Sequence, residues 1–291
     1  LTDQADQVRA VELINSSDVV VENFGPGGME KYNLGYSKLI ANNPKLIYCS
    51  ITGFGTSEKA AELPGYDLLL QGMSGLMSIT GSDQNNPTKV GVALVDVITG
   101  LHAVVGILAA LRARDEQGVG QKVELNLLSS TLSALVNQAS AYISAGVIPK
   151  AMGNAHPSIA PYQVYQAKDK QFIVAVGSDL QFTKFAGCIK PELLADKRFA
   201  TNQLRVENLQ QLNAQLEPIF AQQSADHWIS ILAKVKIPAG AINNIKEAFD
   251  LAQSLGLNSI VEIDGVKSVA NPISFSKTPV EYRLSPPNLK G

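Results

Sequence analysis

The most apolar stretch of the chain, VGVALVDVITGLHAVVGILAALRA from Val90 to Ala113, carries a single charged side chain, Asp96, before Arg112. From Ile98 onward Leu101, Val104, Val105, Leu108 and Leu111 recur at intervals of three and four, the spacing of a helix with a buried apolar face. Thr99, Gly100, Ala103, Gly106 and Ala110 form a second stripe of small residues, on which another backbone can approach closely. This is expected to be a central helix. Asp96 falls at its start, beside the unpaired N–H groups and positive dipole end of the first turn. From spacing alone Asp96 reads as a helix cap.

Strands and helices alternate around this stretch. Thr2 or Asp3 can cap a first helix whose apolar face carries Val8, Val11 and Ile14, and SSDVVVENF follows as a buried strand. That strand ends in the turn Gly25–Gly28, and a short helix starts at Met29. KLIYCSITGFG repeats the arrangement with a strand and the turn Gly53–Gly55. Asp67 is the expected N-cap of the helix LLLQGMSGLMSI. QKVELNLL is a third strand, and Ser129 or Ser130 begins a helix reaching about Ser144. Residues 1–145 therefore read as a Rossmann-like α/β domain with a doubly wound parallel sheet. Residues 146–165 read as an irregular linker. Residues 166–265 read as a smaller α+β domain with the strand KQFIVAVG and a hairpin about Asp264 and Gly265, and 266–291 as a segment returning to the first domain. The irregular stretches 146–161 and 236–242 are both expected to join the two domains.

Composition excludes several classes. Lys and Arg number 24 against 26 Asp and Glu, and they never cluster, which argues against a nucleic-acid surface. The two cysteines, Cys49 and Cys188, lie in apolar surroundings without metal spacing, which fits a reducing compartment. No signal peptide is recognisable, and the apolar runs read as too short to cross a membrane. The Gly turns match neither G-x-G-x-x-G nor a P-loop, and GMSGLM lacks the spacing of a serine nucleophile. His102, six residues beyond Asp96, points elsewhere on the helix and reads as a core or interface residue. His227 reads as a surface residue beside an inward Trp228.

GYDLLLQGMSGLMSITG, the polar loop after it and VGVALVDVITGLHAVVGILAALRARDEQGVGQKVELNLLSS together resemble the signature of the family III CoA-transferases. That group includes formyl-CoA, carnitine and succinate–hydroxymethylglutarate CoA-transferases. The resemblance implies that Asp96, in the (A/V)D-x-x-(T/S)-G segment with Thr99 and Gly100, is a covalent nucleophile. It implies CoA-binding positions at Asn23, Phe24, Gly25, Gly28, Lys31, Thr52, Gly53, Phe54 and Gly55. Lys31 keeps a positive charge but lacks the bidentate fork of an arginine. Tyr66 stands where the acyl-CoA racemases of the same fold carry a histidine, and a phenol titrating near pH 10 is a poor proton shuttle, which favours transfer over racemisation. Asn154 and His156, in GNAHPSIAPY, match the glycine-rich loop that covers the active site, although this loop is not a run of glycines. Backbone N–H groups of this loop or of the GFG turn are the expected oxyanion donors.

The implied activity moves CoA between an acyl-CoA and a small carboxylic acid, with succinyl-CoA and a dicarboxylate favoured. CoA is then a co-substrate, and no metal or tightly bound cofactor is expected. A racemase or an inactive CoA-binding fragment are the alternatives. The implied assembly is an interlocked homodimer, without nucleic acid or membrane, in the cytoplasm or in the mitochondrial matrix of a eukaryote. Against the family pattern, the first strand–helix units and a final helix are expected to be missing.

Overall fold

The computed structural model describes residues 1–287. The chain divides into two compact units, the first Leu1–Asn154 and the second beginning at Ala155. Residues 288–291 of the expected return segment lie outside the described residues.

The first unit opens with α1 (Gln4–Asn15), capped by Asp3, whose carboxylate accepts from the N–H of Ala5 at 2.6 Å and of Asp6 at 3.4 Å. Val11 and Ile14 pack against a cluster of Met29, Leu34, Leu39, Leu46 and Tyr48, whereas Val8, expected on the same face, is exposed. The unit continues as β1 (Val19–Glu22), α2 (Tyr36–Asn42), β2 (Ile47–Thr52), α3 (Glu58–Ala61), α4 (Asp67–Met73), α5 (Leu76–Ile79), α6 (Leu94–Gln117), β3 (Lys122–Asn126), α7 (Leu127–Ala134) and α8 (Val136–Ala145). The strands form one parallel sheet in the order β1-β2-β3, with Val21 opposite Cys49 and Cys49 opposite Val123. β2 is central and nearly all buried, as its unbroken apolar run requires. Cys49 lies wholly inside it, where burial and then the charge of Glu22 push the thiol pKa up.

α6 turns the opposite way from its sequence reading. Thr99, Ala103 and Ala110 of the small stripe are buried, and a Cβ on Gly106 would come within 2.8 Å of Val123 on β3. The large apolar residues face outward, with Leu101 62%, Val105 65% and Leu108 60% exposed. Periodicity shows that a face is apolar but not which face the sheet selects. The sheet selects the small one because the backbones come closest there. His102 is also exposed, which excludes the core half of its sequence reading. By length and composition α6 could cross a membrane, contrary to the sequence reading, because the helix runs through Asp96 without a second acid until Asp115.

The second unit comprises β4 (Tyr162–Gln166), β5 (Gln171–Ala175), α9 (Asp179–Ile189), α10 (Asn202–Glu207), α11 (Leu209–Phe220), α12 (Ala225–Lys234), β6 (Ala239–Ala241), α13 (Ile245–Ser254), β7 (Ile260–Ile263) and β8 (Val266–Val269). β4-β5-β6 is an antiparallel sheet, so 162–166 is a strand rather than linker, and 236–242 enters this sheet rather than joining domains. The core centres on Phe220, whose ring meets those of Tyr165, Phe172, Phe185 and Trp228. His227 stacks edge-on against Trp228. β7 and β8 make the expected hairpin, with Asp264 at φ 52° and Gly265 at φ 78° supplying the left-handed pair such a turn demands.

Candidate active site

A cavity of about 740 Å³ opens in the first unit, beyond the carboxyl ends of β1 and β2 and beside the start of α6. Parallel sheets meet ligands at this end. Its walls include the turn after β1, with Asn23, Phe24, Gly25 and Pro26; the turn after β2, with Thr52, Gly53 and Gly55; and Tyr66, Asp67, Asp96, Thr99 and Gly100 from α4, α6 and the loop before them. Most of the residues picked from the sequence are thus gathered at one place. The exceptions have physical reasons. Phe54 turns its ring into the cluster of Leu70, Val95 and Leu127. Gly28 allows its turn to close, since a Cβ there would lie 2.6 Å from the Phe24 carbonyl oxygen. Lys31 sits on a short 3-10 turn, Glu30–Tyr32, and is not among the lining residues.

Asn154 and His156 do not line the cavity either. Asn154 closes the first unit, and His156 stands at the start of the second, its ring 5.1 Å from that of Tyr162.

Two glycines fix the corner of the cavity. A Cβ on Gly53 would lie 2.6 Å from the Gly65 Cα, and one on Gly65 equally close to the Gly53 Cα, so the two backbones touch where only glycine fits. The Gly53 carbonyl also accepts from the Leu128 N–H at 3.1 Å, which ties this corner to α7. Thr52 Oγ1 accepts from the Gly55 N–H at 3.0 Å, so that N–H, expected to stabilise an oxyanion, is already engaged.

Asp96 is the third residue of α6 and does not cap it. The Leu94 N–H donates to the Val92 carbonyl at 2.8 Å, and the N–H groups of Val95 and Asp96 donate to Asp67 Oδ1 at 2.8 and 3.3 Å. These are the donors a first helical turn leaves open, and all three are taken without the Asp96 carboxylate. Asp67 is therefore not the cap of its own helix but of a neighbouring one. Its other oxygen, Oδ2, accepts from Gln71 Nε2 at 2.7 Å. The Asp96 carboxylate is solvent-accessible and accepts no hydrogen bond among the described residues. Desolvation by the cavity wall, and then the negative charge of Asp67, push its carboxyl above the ordinary range.

The other lining groups are poor nucleophiles. Thr99 Oγ1 donates to the Val95 carbonyl at 2.8 Å, Thr52 Oγ1 is occupied as above, and Asp67 has both oxygens in use. Gly100, with nothing within 4 Å of where a Cβ would stand, leaves room beside Asp96. Sequence reasoning missed Asp67 and Gln71 as a pair. Their separation of four residues, which sets an acid and an amide on one helix face, was the available signal.

The family model described as CoA-transferase family III matches residues 1–291. The chain is 40% identical over 283 residues to succinate–glutarate CoA-transferase of Agrobacterium fabrum, covering 95% of this chain and 71% of that protein. It is 36% identical over 278 residues to acetyl-CoA:oxalate CoA-transferase of Acetobacter aceti, covering 95% and 72%. A crystal structure of a CAIB/BAIF family protein from Brucella suis superposes with a TM-score of 0.84 at 42% identity, over 96% of this chain and 74% of that one. A parallel sheet with its crevice beside an unbonded aspartate, and a match that spans the entire sequence, lead to one assignment: the chain belongs to CoA-transferase family III, and it is a CoA-transferase.

Proposed function

We propose that the protein moves CoA from succinyl-CoA to a small dicarboxylic acid through covalent intermediates on Asp96. One observation carries this reading: Asp96 is the carboxylate in the cavity left without a hydrogen-bond partner, because Asp67 has taken the donors around it. The Asp96 carboxylate attacks the thioester carbonyl and expels CoA thiolate as a mixed anhydride forms. The thiolate then attacks the Asp96 carbonyl, giving an aspartyl-CoA thioester and releasing succinate. The acceptor carboxylate attacks that thioester, again expelling thiolate, which takes the acceptor acyl group and frees Asp96. No net proton is transferred, and each difficult exchange is divided into two acyl substitutions.

In this reading Asn23, Phe24 and Gly25 flank the CoA chain on one side, and Thr52, Gly53 and Gly55 on the other. Gly28 and Phe54 belong to the same two turns, and Lys31 follows the first of them on its short 3-10 turn. The dicarboxylate is supported by relatives whose names pair acetyl-CoA with oxalate and succinate with glutarate. The assembly that goes with it is an interlocked homodimer, supported by the outward apolar residues of α6.

The protein incubated with succinyl-CoA and then hydroxylamine should carry a hydroxamate on Asp96, read by peptide mass spectrometry. Asp96→Asn should lose the mark and at least about 1,000-fold in kcat. Bound CoA with an unmodified Asp96 would leave a CoA-binding protein without this chemistry. A panel of oxalate, glutarate and monocarboxylates as acceptors tests the substrate class, and a monocarboxylate preference would overturn the dicarboxylate.

A further inference from the structure

Gln71 is fully buried on α4, one turn beyond Asp67, and every polar atom of its amide is used. Nε2 donates to Asp67 Oδ2 at 2.7 Å and to the Val92 carbonyl at 3.3 Å, while Oε1 accepts from the Val90 N–H at 2.8 Å. Val90 and Val92 belong to the segment that leads into α6. The amide therefore grips that lead-in and the Asp67 carboxylate at once, and Asp67 in turn holds the N–H groups of Val95 and Asp96. A leucine in place of Gln71 could neither donate nor accept there.

We propose that Asp67 and Gln71 are positioning residues for the transfer reaction: by occupying the donors at the start of α6 they keep the Asp96 carboxylate from folding back as a cap and hold it outward, free to attack. The inference rests on the reading of Asp96 as nucleophile. An acidic side chain at the third helical position is the kind that reaches back to the open N–H groups of the helix start. Without Asp67, the donors of Val95 and Asp96 would be open, and Asp96 would be the acceptor nearest in sequence. A carboxylate so bonded is both misdirected and less nucleophilic, and displacements of about 1 Å at a reacting group cost about 100-fold in rate. The network acts on the attacking atom and leaves the two glycine turns untouched, so its loss should fall on the chemical step rather than on CoA binding.

The test is the rate of hydroxylamine-trapped label on Asp96 after mixing with succinyl-CoA, together with kcat and KM. Gln71→Leu, which removes the amide at similar volume, should lower labelling and kcat by about 10- to 100-fold while KM for succinyl-CoA stays within about threefold. Labelling by Gln71→Leu at the wild-type rate would overturn the inference, as would a loss confined to KM. If Gln71→Leu does not fold, Asp67→Ala, at the half-buried end of the pair, removes the acceptor of the Val95 and Asp96 N–H groups and carries the same measurement, with wild-type labelling again overturning the inference. Absence of label in the wild-type protein would instead remove the nucleophile reading beneath it.

Discussion

Asp96 stands where two effects act on its charged form in the same direction, loss of water and the neighbouring Asp67 carboxylate. In the proposed mechanism the ionised, attacking form is then lost at a higher pH than for an aspartate in water, so the acid limb of the pH–kcat profile is expected above about pH 4. The carboxylates lining the cavity are Asp67 and Asp96. A limb at or below pH 4 would contradict the assignment. The sign for stability is the reverse of the usual aspartate. A raised carboxyl pKa makes the ionised group costly in the folded state, so Asp96→Asn should melt no lower than wild type at neutral pH. That advantage should shrink as pH falls through the raised value and vanish below the ordinary one. Gly53→Ala belongs to this scale too: a Cβ 2.6 Å from the Gly65 Cα forces one turn to move, at a cost of about 1–3 kcal/mol, measurable by urea unfolding.

Between elements, strands were easier to read than faces. β1 and β2 stood out as apolar runs ending in glycine turns, and the motif around Asp96 singled out that residue before any geometry. What the sequence concealed were relations that have no period. Asp67 caps a helix that begins 27 residues later, and the small stripe of α6, not its leucines, meets the sheet. Arg205 is a further case. It is wholly buried on α10, where its guanidinium donates to the carbonyls of Ala160 at 2.7 Å and Phe199 at 3.1 Å and to Asp179 Oδ1 at 2.7 Å, and it lies 4.2 Å from the Phe182 ring centre. Arginine is normally a surface residue, so nothing in the local pattern marks it. Arg205→Met would leave two buried carbonyls unpaired and should cost about 2–4 kcal/mol in a denaturant titration. Arg205→Lys, without the planar fork, should recover only part of that.

For the whole molecule, the proposed dimer makes a prediction about mass. An interlocked pair cannot separate without unfolding, so sedimentation should give one species of twice the chain mass across a wide concentration range, with no folded monomer on dilution. A reversible equilibrium between folded monomers and dimers would exclude interlocking. The corner where Gly53 and Gly65 touch matters on this scale for another reason. Two turns pressed together along bare backbone have little freedom left to lose, and a ligand seated against them freezes almost nothing. Calorimetry on CoA binding should therefore report an entropy set by released water and by the ligand's own stiffening, and only weakly by the protein.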